Sequence, residues 1–201
     1  MIRTYTGRVV DPMNLDPWQI EPVDITHSLG QQCRFNGHTS RFYSVAQHSL
    51  IVAALLDMSE VAGWHTNAEA LMHDAAEAYL TDLPTPLKDL PELAEYRYAE
   101  RKAMRAVRER FDIQESRVAF HLVHAADRLA LNLEAHLLMG GPEWSDPEKA
   151  RVLAAGLAAY ACRDDVELFF ERAIADLLQG GDGRGFGDHM LDAMCDFGLA
   201  P

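Results

Sequence analysis

Cysteine is scarce in this chain, basic residues are outnumbered, and long apolar runs are missing. The three cysteines, Cys33, Cys162 and Cys195, lie far apart with no Cys-x-x-Cys pair. That excludes a disulfide framework and a thiolate zinc site, and leaves them as small structural thiols. No apolar stretch approaches the roughly 20 residues needed to span a bilayer. The opening segment from Met1 to Arg8 lacks the apolar core of a secretory signal. A cytoplasmic location (host cytoplasm for a phage gene) and no membrane partner are therefore expected. Lys and Arg number 18 against 31 Asp and Glu, a net charge of −13. A long nucleic-acid polymer is bound by neutralising many phosphates, so it is not expected as a partner. A small anion is still admissible, because a few basic groups or a bound cation can reverse the local field.

What the chain does contain is helical periodicity and histidine. Its 201 residues suit a single domain (1–201) with a sizeable core. Residues 1–39 are rich in Pro, Asp and Gly and read as an irregular segment, with a short helix at 25–32. Apolar spacing predicts helices over 40–58, over 66–79 with Thr66-x-x-Glu69 as a capping box, and over 92–110 with Pro91 ahead of it. Ser116 is expected to cap a helix running to Met139, which Gly140-Gly141-Pro142 ends. Further helices are expected over 146–160 and 164–179. Leu83-Pro84-Thr85-Pro86 should interrupt the pattern, and 180–201 reads as a flexible tail. No strand pattern is discernible, and the fold class is all-α.

Nine histidines beside an acidic excess direct attention to metal chemistry. His73-Asp74 falls in Leu71-Met72-His73-Asp74-Ala75-Ala76-Glu77, within an expected helix, where adjacent side chains point about 100° apart. Glu77, four residues after His73, shares its face. An adjacent His-Asp pair alone means little. However, His48 lies in the apolar Ser44-Val45-Ala46-Gln47-His48-Ser49, and Asp127 is flanked by Ala125, Ala126, Leu129 and Ala130. An unpaired carboxylate in such surroundings is expensive. Two imidazoles and two carboxylates on three core-like helices are better explained by a shared cation. His27, His38, His121, His136 and His189 belong to no such constellation.

The order His48, His73-Asp74, Asp127 resembles the HD superfamily of metal-dependent phosphohydrolases. Three strings narrow the likeness: Arg34-Phe35-x-Gly37-His38-Thr39, Phe42-Tyr43-Ser44-Val45-Ala46-Gln47-His48-Ser49, and His73-Asp74-Ala75-Ala76-Glu77-Ala78-Tyr79-Leu80-x-Asp82-Leu83-Pro84-x-Pro86-Leu87-Lys88. These are similar to phage dATP triphosphohydrolases and, more distantly, to bacterial deoxyribonucleoside 5′-monophosphatases, over about residues 7 to 134.

The resemblance implies an HD-domain helical bundle in which His48, His73, Asp74 and Asp127 hold a divalent ion. Such a donor set suits Mn²⁺, Co²⁺, Fe²⁺ or Zn²⁺, with Mg²⁺ as a possible second ion. Glu77 matches the acidic group that handles the nucleophilic water. Arg34 matches a phosphate-binding arginine, Phe35 an aromatic wall where relatives carry Trp, and Asp82 a sugar contact. Pro86 and Lys88 match residues lining the pocket and meeting phosphate. His124 stands where relatives commonly have Lys. The implied function is hydrolysis of a small nucleotide, foremost a deoxynucleoside triphosphate cleaved to nucleoside and triphosphate, with a homo-oligomeric enzyme. The alternatives are a 5′-monophosphatase and, from another class, a non-enzymatic helical binding module whose metal staples the core.

Overall fold

Two-residue strands open the chain: β1 (Ile2–Arg3) pairs antiparallel with β2 (Val9–Val10). Two 3₁₀ turns follow, Pro12–Asn14 and Pro17–Gln19. Each is started by an aspartate that accepts a backbone N–H and by a proline in the first turn. Then come helices α1 (Pro22–Gln31), α2 (Val45–Asp57), α3 (Trp64–Met72), α4 (Glu77–Leu80), α5 (Thr85–Lys88), α6 (Ala94–Arg110), α7 (Arg117–Met139) and α8 (Arg163–Leu178). The computed structural model describes residues 1–57, 63–140 and 163–178. The helix expected over 146–160 and the tail at 180–201 lie outside the described residues, as do Cys162, Cys195 and His189.

The all-α fold class holds. Helix α2 decides the arrangement, because it is apolar on nearly every side and must be surrounded. Val45, Ala46, Leu50, Ile51, Val52, Ala53, Ala54 and Leu56 are all buried. Helices α1, α3, α7 and α8 pack around it. Helix α6 is amphipathic. It buries Ala99, Ala103, Met104, Ala106 and Val107 and turns its charged side outward. Helices α1 and α8 approach closely at Gly30, where a Cβ would meet Glu167 Cγ at 2.7 Å. Glu167 also binds His27 Nδ1 at 3.2 Å and accepts from Gln31 Nε2 at 2.8 Å. Among the described residues, no helix is long and apolar enough to cross a membrane.

Several boundaries differ from the sequence reading for physical reasons. The strand pair escaped notice because two residues per strand carry no readable alternation. Helix α1 begins earlier than expected, on Pro22 in its first turn. Helix α2 starts at Val45 rather than 40, leaving Phe42 exposed. The start is set by a reciprocal cap: Ser44 Oγ accepts from Gln47 N, and Gln47 Oε1 accepts from Ser44 N. The Thr66/Glu69 box does not form. Helix α3 begins at Trp64 behind Gly63, and Glu69 is taken by Arg108 instead. The prolines at 84 and 86 do not abolish helix. Pro86 sits in the first turn of α5, where an absent N–H costs nothing. Ser116 does cap α7 by accepting from Ala119 N, and Gly140 ends that helix with φ +68°, a backbone that favours glycine.

The break that matters most lies between α3 and α4. The helix expected over 66–79 is interrupted after Met72, and His73-Asp74-Ala75-Ala76 forms a turn. The chain stays right-handed but tightens. Ala75 N bonds Met72 O at 2.9 Å, Glu77 N bonds Asp74 O at 2.9 Å and Tyr79 N bonds Ala76 O at 3.0 Å. These three-residue bonds mark a 3₁₀ passage, the kind of mid-helix irregularity often found at functional positions.

Candidate metal centre and its cleft

His48 Nε2, His73 Nε2 and a carboxylate oxygen of Asp74 converge. Asp74 Oδ2 lies 3.8 Å from His48 Nε2 and 3.3 Å from His73 Nε2. The three ligand atoms lie within 4.8 Å of one another, a group that can hold a metal ion. Asp127 joins through His48, with Oδ1 3.1 Å from Nε2. The four residues come from α2, the 73–76 turn and α7, so the centre is a junction of the core helices.

The donor chemistry fits a divalent cation. His73 Nδ1–H donates to the Ala70 carbonyl at 2.7 Å; a carbonyl only accepts, so Nδ1 carries the proton and Nε2 is the free lone pair. His48 Nδ1 bonds Glu134 Oε1 at 2.6 Å, again freeing Nε2. Both Nε2 atoms are buried without a hydrogen-bond partner. Two imidazoles oriented from behind and aimed at one point beside two carboxylates are the features of a metal-ligand set.

Without a cation, the charges in the group settle on one another. Burial and then Arg34 oppose a proton on His48, but Glu134 and Asp127 outweigh them and raise its pKa to about 9. Burial alone would raise the Asp74 carboxyl, yet His73, His48 and Arg34 hold it below its ordinary value. Asp127 is likewise held low by His48 against its partial burial.

Glu134, on α7, was not singled out from the sequence. Its side chain is fully buried and also accepts from Tyr43 Oη at 2.8 Å, while Arg34 Nε lies 3.3 Å from Oε2. A sequence signal existed: Glu134 falls seven residues after Asp127 on the same apolar stripe as Ala126, Ala130 and Leu133.

Arg34 is positioned by a pinch in the chain. Its N–H bonds Tyr43 O at 2.9 Å and Val45 N bonds Gln32 O at 3.1 Å. Phe35 and Asn36 are left-handed, with φ +53° and +51°. The Arg34 guanidinium is buried, with Nη1 3.6 Å from Asp74 Oδ2 and its carbon 5.5 Å from the Phe35 ring centre. Phe35 rests half-buried on the core.

In front of the metal group lies a cleft of about 420 Å³. His73, Asp74, Asp127, Glu77 and Lys88 line it; Arg34, Phe35, Asp82 and Pro86 do not. Glu77 is buried, and its Oε1 accepts from Lys88 Nζ at 2.8 Å. Burial and the neighbouring Asp74 push its carboxyl well above the ordinary range, with Lys88 pulling the other way. Lys88 is shared with Glu100 Oε1 at 2.6 Å. Asp82 is fixed by its N–H to Gln32 Oε1 at 3.1 Å, and burial raises its pKa. Pro86 is exposed. The same Gln32 side chain donates through Nε2 to the Glu77 carbonyl at 3.0 Å, so it holds both ends of the α4 segment.

No family model matches the chain. It is 41% identical to the uncharacterized protein YfdR of Escherichia coli over 114 residues, 56% of this chain and 58% of that protein. It is 34% identical to the uncharacterized protein RCAP_rcc00048 of Rhodobacter capsulatus over 155 residues, 75% of this chain and 77% of that one.

Proposed function

The chain belongs to the same family as RCAP_rcc00048 of Rhodobacter capsulatus, and we propose that its cleft is the site of a metal-dependent phosphohydrolase of the HD-domain type. Its substrate is a small nucleotide, foremost a deoxynucleoside triphosphate, and water breaks the bond to the α-phosphate to release deoxynucleoside and triphosphate. One observation carries the reading: two imidazoles with bare, buried Nε2 atoms meet Asp74 and Asp127 at the edge of a cleft that also holds the buried Glu77.

His48, His73, Asp74 and Asp127 would hold the ion, with Mn²⁺, Co²⁺, Fe²⁺ or Zn²⁺ suiting the donors and Mg²⁺ as a second ion. When bound, it supplies Lewis acidity and lowers the pKa of bound water. The protein's own groups do the rest. Glu77 would accept a proton from the attacking water at Oε2, the oxygen without a hydrogen-bond partner. Lys88 holds the other oxygen and fixes the carboxylate's orientation. Arg34 sets a permanent positive charge beside Asp74 and Glu134. Phe35, Asp82 and Pro86 lie outside the cleft lining, so the resemblance alone assigns them to base and sugar.

A second reading, a deoxyribonucleoside 5′-monophosphatase, draws on Lys88. That ammonium is already divided between Glu77 and Glu100, which leaves it less free for a distant phosphate. The proposal includes a cytoplasmic location and a homo-oligomer, and a monomer-sized particle in light scattering would reject the oligomer. The activity itself is tested by incubating metal-loaded protein with nucleoside mono-, di- and triphosphates and identifying products by chromatography. Deoxynucleoside and tripolyphosphate are expected. Orthophosphate from monophosphates alone would select the second reading. No turnover with any nucleotide or metal would leave a binding module with a structural ion.

A further inference from the structure

Helix α6 presents Arg101, Arg105 and Arg108 at i, i+4 and i+7, one face of the helix, and all three line the cleft opposite α7. They are not equivalent. Arg108 is consumed by Glu69, with Nε 2.9 Å from Oε2, and by Glu115, with Nη1 3.3 Å from Oε1. Arg101 and Arg105 make no ion pair or side-chain hydrogen bond among the described residues, and both are exposed toward the cleft. The nearby carboxylates are already engaged: Glu69 and Glu115 by Arg108, Glu100 by Lys88. In a chain of net charge −13, two uncommitted guanidiniums beside a metal group stand out.

The space continues past Arg101. Glu69, Arg101, Arg108, Glu115 and Phe120 line both the metal cleft and an adjoining hollow of about 610 Å³ that also meets Arg117. On the facing wall, Phe120 stacks on His124 with ring centres 5.8 Å apart and planes 11° apart. Arg101 and Arg105 thus share the metal cleft with Asp74, Glu77 and Asp127, and Arg101 also borders the adjoining hollow.

We propose that Arg101 and Arg105 form a polyphosphate subsite that receives the phosphates beyond the one at the metal end. The ligand class is a phosphate chain of at least two units. Guanidinium forks match paired phosphate oxygens, and two of them one helical turn apart follow a chain better than a single phosphate. The subsite rests on the phosphohydrolase reading and decides within it for triphosphates over monophosphates.

Binding tests it without requiring turnover. Manganese-loaded protein is titrated with inorganic tripolyphosphate and with orthophosphate in a calorimeter, with excess Mg²⁺ to occupy the free polyphosphate. The wild type should prefer tripolyphosphate, and R101A/R105A should weaken that ligand by about tenfold per arginine, the scale of a hydrogen bond to a charged group. Orthophosphate affinity should change less than twofold. R101K/R105K should keep part of the preference, and R101E/R105E should abolish it. Both positions are exposed, so folding is checked simply by an unchanged melting temperature. If R101A/R105A retains the wild-type preference, or loses both ligands equally, the subsite is overturned. A protein that hydrolyses no nucleotide but shows the arginine-dependent preference would lose the proposed activity and keep the subsite.

Discussion

His48 and Glu134 meet through a 2.6 Å contact between Nδ1 and Oε1, with both side chains wholly shielded from solvent. Glu134 is held ionised against burial by His48, Arg34 and Tyr43. The imidazole is therefore oriented by an anion at Nδ1 and turns Nε2 toward Asp127 and Asp74. Outer-shell carboxylates of this kind fix the ring and raise its basicity as a ligand.

Replacing Glu134 by Gln should keep the shape and an acceptor but remove the charge. Metal affinity is expected to fall by roughly 10–100-fold, the usual cost of losing an outer-shell partner. Glu134→Ala strands Arg34 in the interior and should cost about 3–5 kcal/mol of stability. Competition with a fluorescent chelator and urea melts give the two quantities. Wild-type affinity in Glu134→Gln would mean that the carboxylate is a packing element only.

His73→Ala and Asp74→Ala should each abolish metal binding and nearly all hydrolysis. Dialysis against a chelator should do the same, and added Mn²⁺ should restore activity. Elemental analysis beside the assay checks both. Full activity in a rigorously metal-free preparation would end the metal mechanism.

Glu77→Gln should cut turnover by roughly 10²–10⁴-fold, the range of general acid–base catalysis, while the protein keeps its first ion. Because Lys88 then faces a neutral amide, a modest loss of stability should accompany the kinetic one. A variant that loses metal as completely as His73→Ala would reassign Glu77 from water handling to ligation.

The metal-free protein should become less stable as pH rises through about 9. His48 has its folded pKa raised from 6.5 to about 9. The proton is thus held more tightly in the native state, and its contribution is fully present below 6.5 and lost as pH climbs through 9. Metal affinity should run the other way across that window, since Nε2 must be unprotonated to coordinate. Thermal melts of chelator-treated protein at pH 6.5 and 9.5 test the sign. A melting temperature that rises between them would contradict the charge arrangement around His48.

The cluster was legible in the sequence because ionisable groups in apolar helices are costly, and such exceptions are visible against their neighbours. His48, His73 and Asp74 form a group that could hold a metal ion, and Asp127 reaches it through His48. Glu134 is the same kind of exception, but as a lone carboxylate without a histidine beside it, it carried no local pattern. The break after Met72 could not be read from apolar spacing, since three-residue and four-residue hydrogen bonding accept the same residues over so short a stretch. The free pair on α6 was hidden for another reason. Arg101, Arg105 and Arg108 look alike in the sequence, and only the positions of Glu69 and Glu115 show which arginine is spent.

Gln31 and Gln32 are neighbours with different allegiances. Gln31 grips Glu167 on α8, while Gln32 grips the Glu77 carbonyl and the Asp82 amide. The end of α1 is therefore a splice between the C-terminal helix and the segment bearing Glu77. Helix α1 meets α8 closely at Gly30, where a Cβ would lie 2.7 Å from Glu167 Cγ. One turn of backbone thus serves two neighbours, α8 through Gln31 and the Glu77 segment through Gln32.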